Sequence, residues 1–120
     1  MTQQLILIPG LTNLIGNTTL SYTLTDTTPS IDLILVHHAG QRYAYVDRCP
    51  HFGLNLNWRP DQYYNINKHY LQCSTHGALF RIEDGLCIFG PCEGASLQNV
   101  PLIRRNNQYF VDIQLFLLTE

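Results

Sequence analysis

Four side chains in two short segments carry the chemistry this chain can do. Cys49-Pro50-His51-Phe52-Gly53 holds a C-x-H pair, and Cys73-Ser74-Thr75-His76-Gly77 holds a C-x-x-H pair. Each segment offers one anionic thiolate and one neutral imidazole, on a tight turn marked by proline or glycine. Spacings of two and three residues let both side chains of a loop reach metal on the same side. Two such loops facing each other supply four ligands.

That donor set suits a [2Fe–2S] centre ligated by two Cys and two His, the thiolates on one iron and the imidazoles on the other. Each loop then gives one ligand to each iron. Gly53 and Gly77 let the backbone approach closely, where a β-carbon would crowd it. The close approach also lets backbone N–H groups donate to the sulfurs, which tunes the potential. Zinc is the main rival, since it also takes a Cys2His2 set. Zinc-finger spacing groups Cys with Cys and His with His, however, and here each loop mixes them. A fold that has lost its metal is the remaining alternative. A Cys–His nucleophile would leave the second pair idle.

The other candidates have plainer readings. His37-His38 lies in or beside an apolar run and is structural or at the surface. His69 sits near a turn at Asn67-Lys68. Cys87 falls in a strand-like run, two residues before Phe89, as a small buried hydrophobe does. Cys92 directly follows Gly90-Pro91, and its role stays open, with a Cys87–Cys92 disulfide as one possibility.

The elements that must position these loops are strands. Residues 18–25 alternate, with Leu20, Tyr22 and Leu24 on one face, as a half-buried strand does. Residues 31–38 form a continuous apolar run, the pattern of a strand covered on both sides. Ala39-Gly40 offers a tight turn into 42–47, where Tyr43 and Tyr45 share a face. Asp84-Gly85 marks a hairpin between 79–82 and 86–89. Asn106-Asn107 marks another between 98–105 and 108–117, since Asn tolerates positive φ. Helical periodicity is scarce; one short helical turn is expected at 58–64, after Pro60. Strands from both chain ends thus frame a loop-rich middle, about 47–94, that carries the chemistry.

The chain has 120 residues, room for one compact domain spanning 1–120. Its formal net charge is −2, and its seven basic residues are scattered apart from Arg104-Arg105, which argues against a nucleic-acid binder. The longest apolar stretches, 5–8 and 33–36, are strand-sized, far below the roughly 20 residues of a spanning helix. The N-terminus lacks a basic region and is interrupted by Pro9-Gly10, so a secretory signal is not expected and the cytoplasm is the default. In that reducing compartment a set of cysteines points to metal binding or catalysis before disulfides.

The paired motifs resemble the Rieske family, whose signature is C-x-H followed by C-x-x-H. The likeness extends over roughly 43–113. Gly77-Ala78-Leu79-Phe80 resembles the strand after the second ligand loop, Gly85 the hairpin glycine, and Gly90-Pro91 the proline loop that covers the cluster. The resemblance implies an all-β fold: an antiparallel β-sandwich or incomplete barrel with an inserted cluster-binding subdomain at about 47–94. It implies one [2Fe–2S] cluster on Cys49, His51, Cys73 and His76, with Phe52 and Pro91 shielding it.

Departures from the respiratory branch of that family are informative. Its members brace the two ligand loops with a disulfide, at positions held here by Leu54 and Thr75. They also place Ser and Tyr hydroxyls near the cluster sulfurs, where this chain has Ala78 and Phe80, which cannot donate. Fewer donors leave the reduced cluster less stabilised, so the potential is expected near the bottom of the Rieske range, at roughly −150 mV. The chain resembles the ferredoxin branch: a monomeric one-electron carrier, not itself an enzyme, passing electrons from a reductase to a terminal enzyme such as an oxygenase. A small subunit like that of assimilatory nitrite reductase is the alternative, as is a cluster-based redox sensor or interaction module. A complete oxygenase would need a further domain with a mononuclear iron site.

Overall fold

A run of consecutive apolar residues can be satisfied only where both of its faces are covered, and residues 33–36 (Leu-Ile-Leu-Val) find that place within the third strand, all four buried. A computed structural model describes residues 5–50, 55–56, 61–65, 67–73 and 77–112. Among them are nine strands: β1 (Leu5–Leu7), β2 (Thr18–Leu24), β3 (Ile31–His38), β4 (Gln41–Val46), β5 (Tyr70–Gln72), β6 (Leu79–Arg81), β7 (Cys87–Phe89), β8 (Leu102–Arg105) and β9 (Gln108–Asp112). A single 3-10 turn, Pro9–Leu11, follows β1. The strands form three antiparallel sheets, ordered β1-β9-β8, β2-β3-β4 and β5-β6-β7, and they do not close into a barrel.

β3 separates two cores. Its Ile34 and Val36 join Tyr45, Leu71, Phe80 and Ile82 on one side. Its Leu33 and Leu35 join Leu24, Ala44, Val100 and Val111 on the other. The side-chain period of two in a strand sends alternate residues to opposite faces, so one continuous run serves both layers. Leu20, Tyr22 and Leu24 of β2 all pack on the second core, as their alternation predicts, and Tyr43 and Tyr45 of β4 share the first.

The turns form where their residues allow. Ala39 and Gly40 take φ of 50° and 77° between β3 and β4, and Asn106 and Asn107 take 53° and 63° between β8 and β9. The Asp84-Gly85 turn joins β6 to β7, and Tyr45 Oη ties this hairpin to β4 by donating to the Ile82 carbonyl at 2.5 Å. His69 follows a turn at Lys68, and its N–H donates to Asn65 Oδ1. His37 and His38 are structural: Nδ1 of His37 lies 2.6 Å from the Gly16 carbonyl, and Nδ1 of His38 lies 3.0 Å from Tyr64 Oη.

Two expectations need amending. Of the helical turn expected at 58–64, residues 61–64 are not helical: Asp61 has φ of 69°, and Tyr64 pairs with Leu71 of β5. Residues 58–60 lie outside the described residues. The strand expected over 98–105 is split. Residues 98–100 lie beside β4, with Val46 N–H donating to the Gln98 carbonyl and Val100 N–H to the Ala44 carbonyl. Pro101 has no N–H to continue that ladder, and β8 begins after it in a different sheet. Among the described residues no helix is long and apolar enough to cross a membrane.

Candidate metal centre

The third sheet, β5-β6-β7, presents the site. Cys49 lies three residues beyond β4, and Cys73 directly follows β5. The second motif occupies the β5–β6 connection. Cys73 N–H donates to the Ala78 carbonyl at 2.9 Å, and Gly77 N–H returns to the Cys73 carbonyl at 2.8 Å. Gly77 has φ of 69°, a left-handed conformation that a side chain would strain. These bonds hold Cys73 at one root of the loop. Its side chain is 1 % exposed and that of Cys49 is 0 % exposed, both in the same buried cluster. His51 and His76 lie outside the described residues, as do Phe52, Gly53, Leu54 and Thr75.

The first loop is closed by a carboxylate. Asp47, 5 % exposed, accepts the Leu56 N–H on Oδ1 at 2.8 Å and the Tyr63 hydroxyl on Oδ2 at 2.8 Å. It thereby bridges both sides of the segment that carries Cys49 and His51. Tyr63 Oη also lies 2.8 Å from Ser21 Oγ, which accepts the Asp61 N–H at 2.8 Å. Burial pushes the Asp47 carboxyl above the usual range; the two hydrogen bonds pull the other way, and Asp32 adds to the push.

The proline loop folds back onto this assembly. Gly94 N–H donates to the Cys87 carbonyl and Cys87 N–H to the Ala95 carbonyl, closing the loop at the end of β7. Gly90, with φ of 104°, packs on the residue after the second motif: a β-carbon there would stand 2.8 Å from Ala78 Cα. Inside the loop, Cys92 is 3 % exposed. Its Sγ lies 3.3 Å from Cys87 Sγ and 4.0 Å from Cys49 Sγ. Cys87 Sγ in turn donates to the Phe89 carbonyl at 3.3 Å. All four cysteines are free thiols, so the Cys87–Cys92 disulfide is absent although the two sulfurs adjoin. Burial first, then the neighbouring sulfurs, push the Cys92 thiol up to about 12. Ala78 and Phe80 are fully buried here, and neither carries a donor.

Reasoning from the sequence missed two features of the site. The contact between Cys92 and Cys49 had one local signal, the position of Cys92 directly after Gly90-Pro91. The Asp47–Tyr63 bond joins residues 16 apart and had none.

This chain belongs to the Rieske [2Fe–2S] domain family, which matches residues 13–105. Its cofactor is accordingly one [2Fe–2S] cluster. The described part of the site fits that group: two buried, unpaired thiols in one apolar cluster, beneath a loop packed on the second motif. The fold is similar to that of a chain in the reduced complex between oxygenase and ferredoxin in carbazole 1,9a-dioxygenase. The identity is 19 % and the TM-score 0.68, over 92 % of this chain and 28 % of that one. It is similar also to a chain in the complex of reduced oxygenase and oxidized ferredoxin in carbazole 1,9a-dioxygenase. There the identity is 17 % and the TM-score 0.68, over 92 % of this chain and 94 % of that one. The terminal oxygenase of carbazole 1,9a-dioxygenase from Novosphingobium sp. KA1 matches at 19 % identity with TM-score 0.66, over 90 % and 28 % of the two chains. The chain thus spans little more than a quarter of the first and third of these chains. No curated protein matches it.

Proposed function

We propose that this protein is a Rieske-type ferredoxin: a single domain, with a cluster-binding subdomain at about 47–94, that carries one electron at a time to a terminal oxygenase or a similar enzyme. Cys49 and Cys73 would hold one iron, and His51 and His76 the other. The observation that carries the reading is the burial of Cys49 and Cys73 as free thiols in one cluster within a Rieske domain. When bound, the cluster takes up one electron and gives it back.

The chain's own residues do the rest. Cys49 and Cys73 are buried in one cluster with Leu56, Leu71, Phe80 and Ile82. That burial supports electron exchange at the imidazole side. The similarity to a chain of the oxygenase–ferredoxin complex of carbazole 1,9a-dioxygenase supports a role beside an oxygenase. Four free cysteines suit a reducing compartment, which supports a cytoplasmic protein. A reductase would supply the electron, and the carrier would act as a monomer.

The test is absorption and EPR of freshly purified protein before and after dithionite, with iron and zinc assayed alongside. A reddish-brown oxidised form, two irons per chain and an EPR signal appearing only on reduction are expected. Cys73→Ala and His76→Ala should each abolish the visible absorbance. A colourless protein with one zinc per chain, or an unchanged spectrum in either variant, would refute the assignment.

A further inference from the structure

The geometry points to Cys92 as a hydrogen-bond donor to the sulfur of Cys49, supplying from the proline loop part of the potential tuning that Ala78 and Phe80 cannot. This rests on Cys49 being an iron ligand, as proposed above. It goes beyond that reading by giving a role to a cysteine outside the four ligands.

One thiol proton has a limited choice of acceptors. Three sulfurs lie in a row: Cys49, Cys92 at 4.0 Å from it, and Cys87 at 3.3 Å from Cys92. The far end of the row is already spoken for, because the Cys87 thiol donates to the Phe89 carbonyl. The Cys92 proton therefore has two acceptors, the neutral sulfur of Cys87 and the sulfur of Cys49. A ligand thiolate has lost its own proton and carries negative charge, so Cys49 can only accept. Hydrogen bonds to a charged acceptor are about twice as strong as those between neutral groups. Metal binding thus favours Cys49 as the destination, although in this structure the Cys92 thiol donates to Cys87 at 3.3 Å. At 3 % exposure, water does not compete for the proton.

The consequence for the potential has a definite sign. Reduction adds negative charge to the cluster and its ligands, which strengthens a donor's bond to a ligand sulfur. Such a donor stabilises the reduced form and raises the potential. A thiol is a weak donor, so the expected effect is modest. Removing it should shift the equilibrium about three- to tenfold toward the oxidised form. At 59 mV per tenfold change for a one-electron step, this is a potential about 28 to 59 mV lower.

The test is potentiometric titration of the holoprotein followed by EPR, on wild type, Cys92→Ala, Cys92→Val and Cys87→Ala. The Cys92 variants should keep their iron and titrate lower. Cys92→Val fills the volume and gives the same readout if Cys92→Ala loses its fold. Cys87→Ala removes the competing acceptor and should leave the potential unchanged or higher. A purely structural role for Cys92 gives the opposite sign, because water entering the vacated space would stabilise the more negative reduced form. Pulsed EPR of reduced protein exchanged into D2O gives a second readout: one exchangeable deuteron coupled to the cluster should disappear in the Cys92 variants. Potentials in the Cys92 variants equal to or above wild type, or an equal drop in Cys87→Ala, would overturn the inference alone. Full cluster absorbance in Cys49→Ala would overturn the ligand assignment and this inference with it.

Discussion

Replacing Tyr63 with Phe removes one oxygen atom and should loosen the loop that carries Cys49 and His51. The Tyr63 hydroxyl donates to Asp47 Oδ2 at 2.8 Å, while Oδ1 of the same carboxylate holds the Leu56 N–H at 2.8 Å. Tyr63 is 3 % exposed and Asp47 5 % exposed, so water cannot substitute freely for the lost hydroxyl. A hydrogen bond to a charged group contributes about 1.5–3 kcal/mol, and leaving its partner buried without it costs on that scale. The ring remains, so no cavity opens and the loss belongs to the hydrogen bond. If cluster loss proceeds through opening of residues 47–56, that energy lowers the cost of opening. At 1.4 kcal/mol per tenfold, bleaching should accelerate about tenfold to a hundredfold. The assay is the half-life of visible absorbance at one fixed temperature below unfolding, in wild type and variant. Ser21→Ala gives the graded control. It removes a neutral partner of the same hydroxyl, together with the acceptor of the Asp61 N–H, but leaves the Tyr63–Asp47 bond in place, and should accelerate bleaching less. A Tyr63→Phe half-life within about twofold of wild type would show that this bond does not hold the loop.

Three further outcomes follow from the same geometry. Gly90→Ala should fold poorly and hold less iron per chain, because φ of 104° strains any side chain and the new β-carbon would stand 2.8 Å from Ala78 Cα; iron content measures this, and a full complement would refute it. Ala78→Ser and Phe80→Tyr should each raise the reduction potential by introducing a donor at buried positions that now have none; an unshifted potential in folded, iron-loaded variants would refute it. Tyr45→Phe removes the bond to the Ile82 carbonyl and should lower the urea midpoint by the equivalent of about 1–3 kcal/mol, without changing the slope.

What was legible in the sequence depended on how far apart the interacting residues lie. Period-two alternation in 18–25 and the apolar run in 31–38, unbroken over 33–36, are local signals. Both formed strands with the expected faces, because burial of a strand is decided by its own pattern. Ala39-Gly40, Asp84-Gly85 and Asn106-Asn107 formed their turns for the same reason: positive φ is a property of the residues in the turn. Cys49 and Cys73 stood out by short-range spacing, and the fold buries both in one cluster. Long-range pairing left no comparable trace. β5 (Tyr70–Gln72) has only three residues, too few for periodicity, and pairing to Tyr64 and β6 makes it a strand. Asp47 in sequence is an ordinary polar residue at the end of the expected strand 42–47; only the fold brings Tyr63 and Leu56 to it. Pro101 was visible, but that it would pass the chain from one sheet to another depends on both sheets being present.

The arrangement of the two cores bears on the electrochemistry. A buried group that gains charge on reduction is stabilised by nearby dipoles and disfavoured by an apolar, water-free setting. Cys49 and Cys73 share one buried cluster with Leu56, Leu71, Ala78, Phe80 and Ile82 among others, and Cys92 Sγ lies 4.0 Å from Cys49 Sγ. The one buried carboxyl nearby, Asp47, turns both oxygens to Leu56 and Tyr63 rather than toward the sulfurs. A carboxylate there, two residues from Cys49, would oppose uptake of an electron, and burial, which raises its pKa, weakens that effect. Apolar burial and the lack of a donor at Ala78 and Phe80 push the potential down, and the weak thiol of Cys92 is an opposing contribution among the described side chains. On the proposed reading the cluster would sit at a low potential and would need a comparably strong reductant to recharge it.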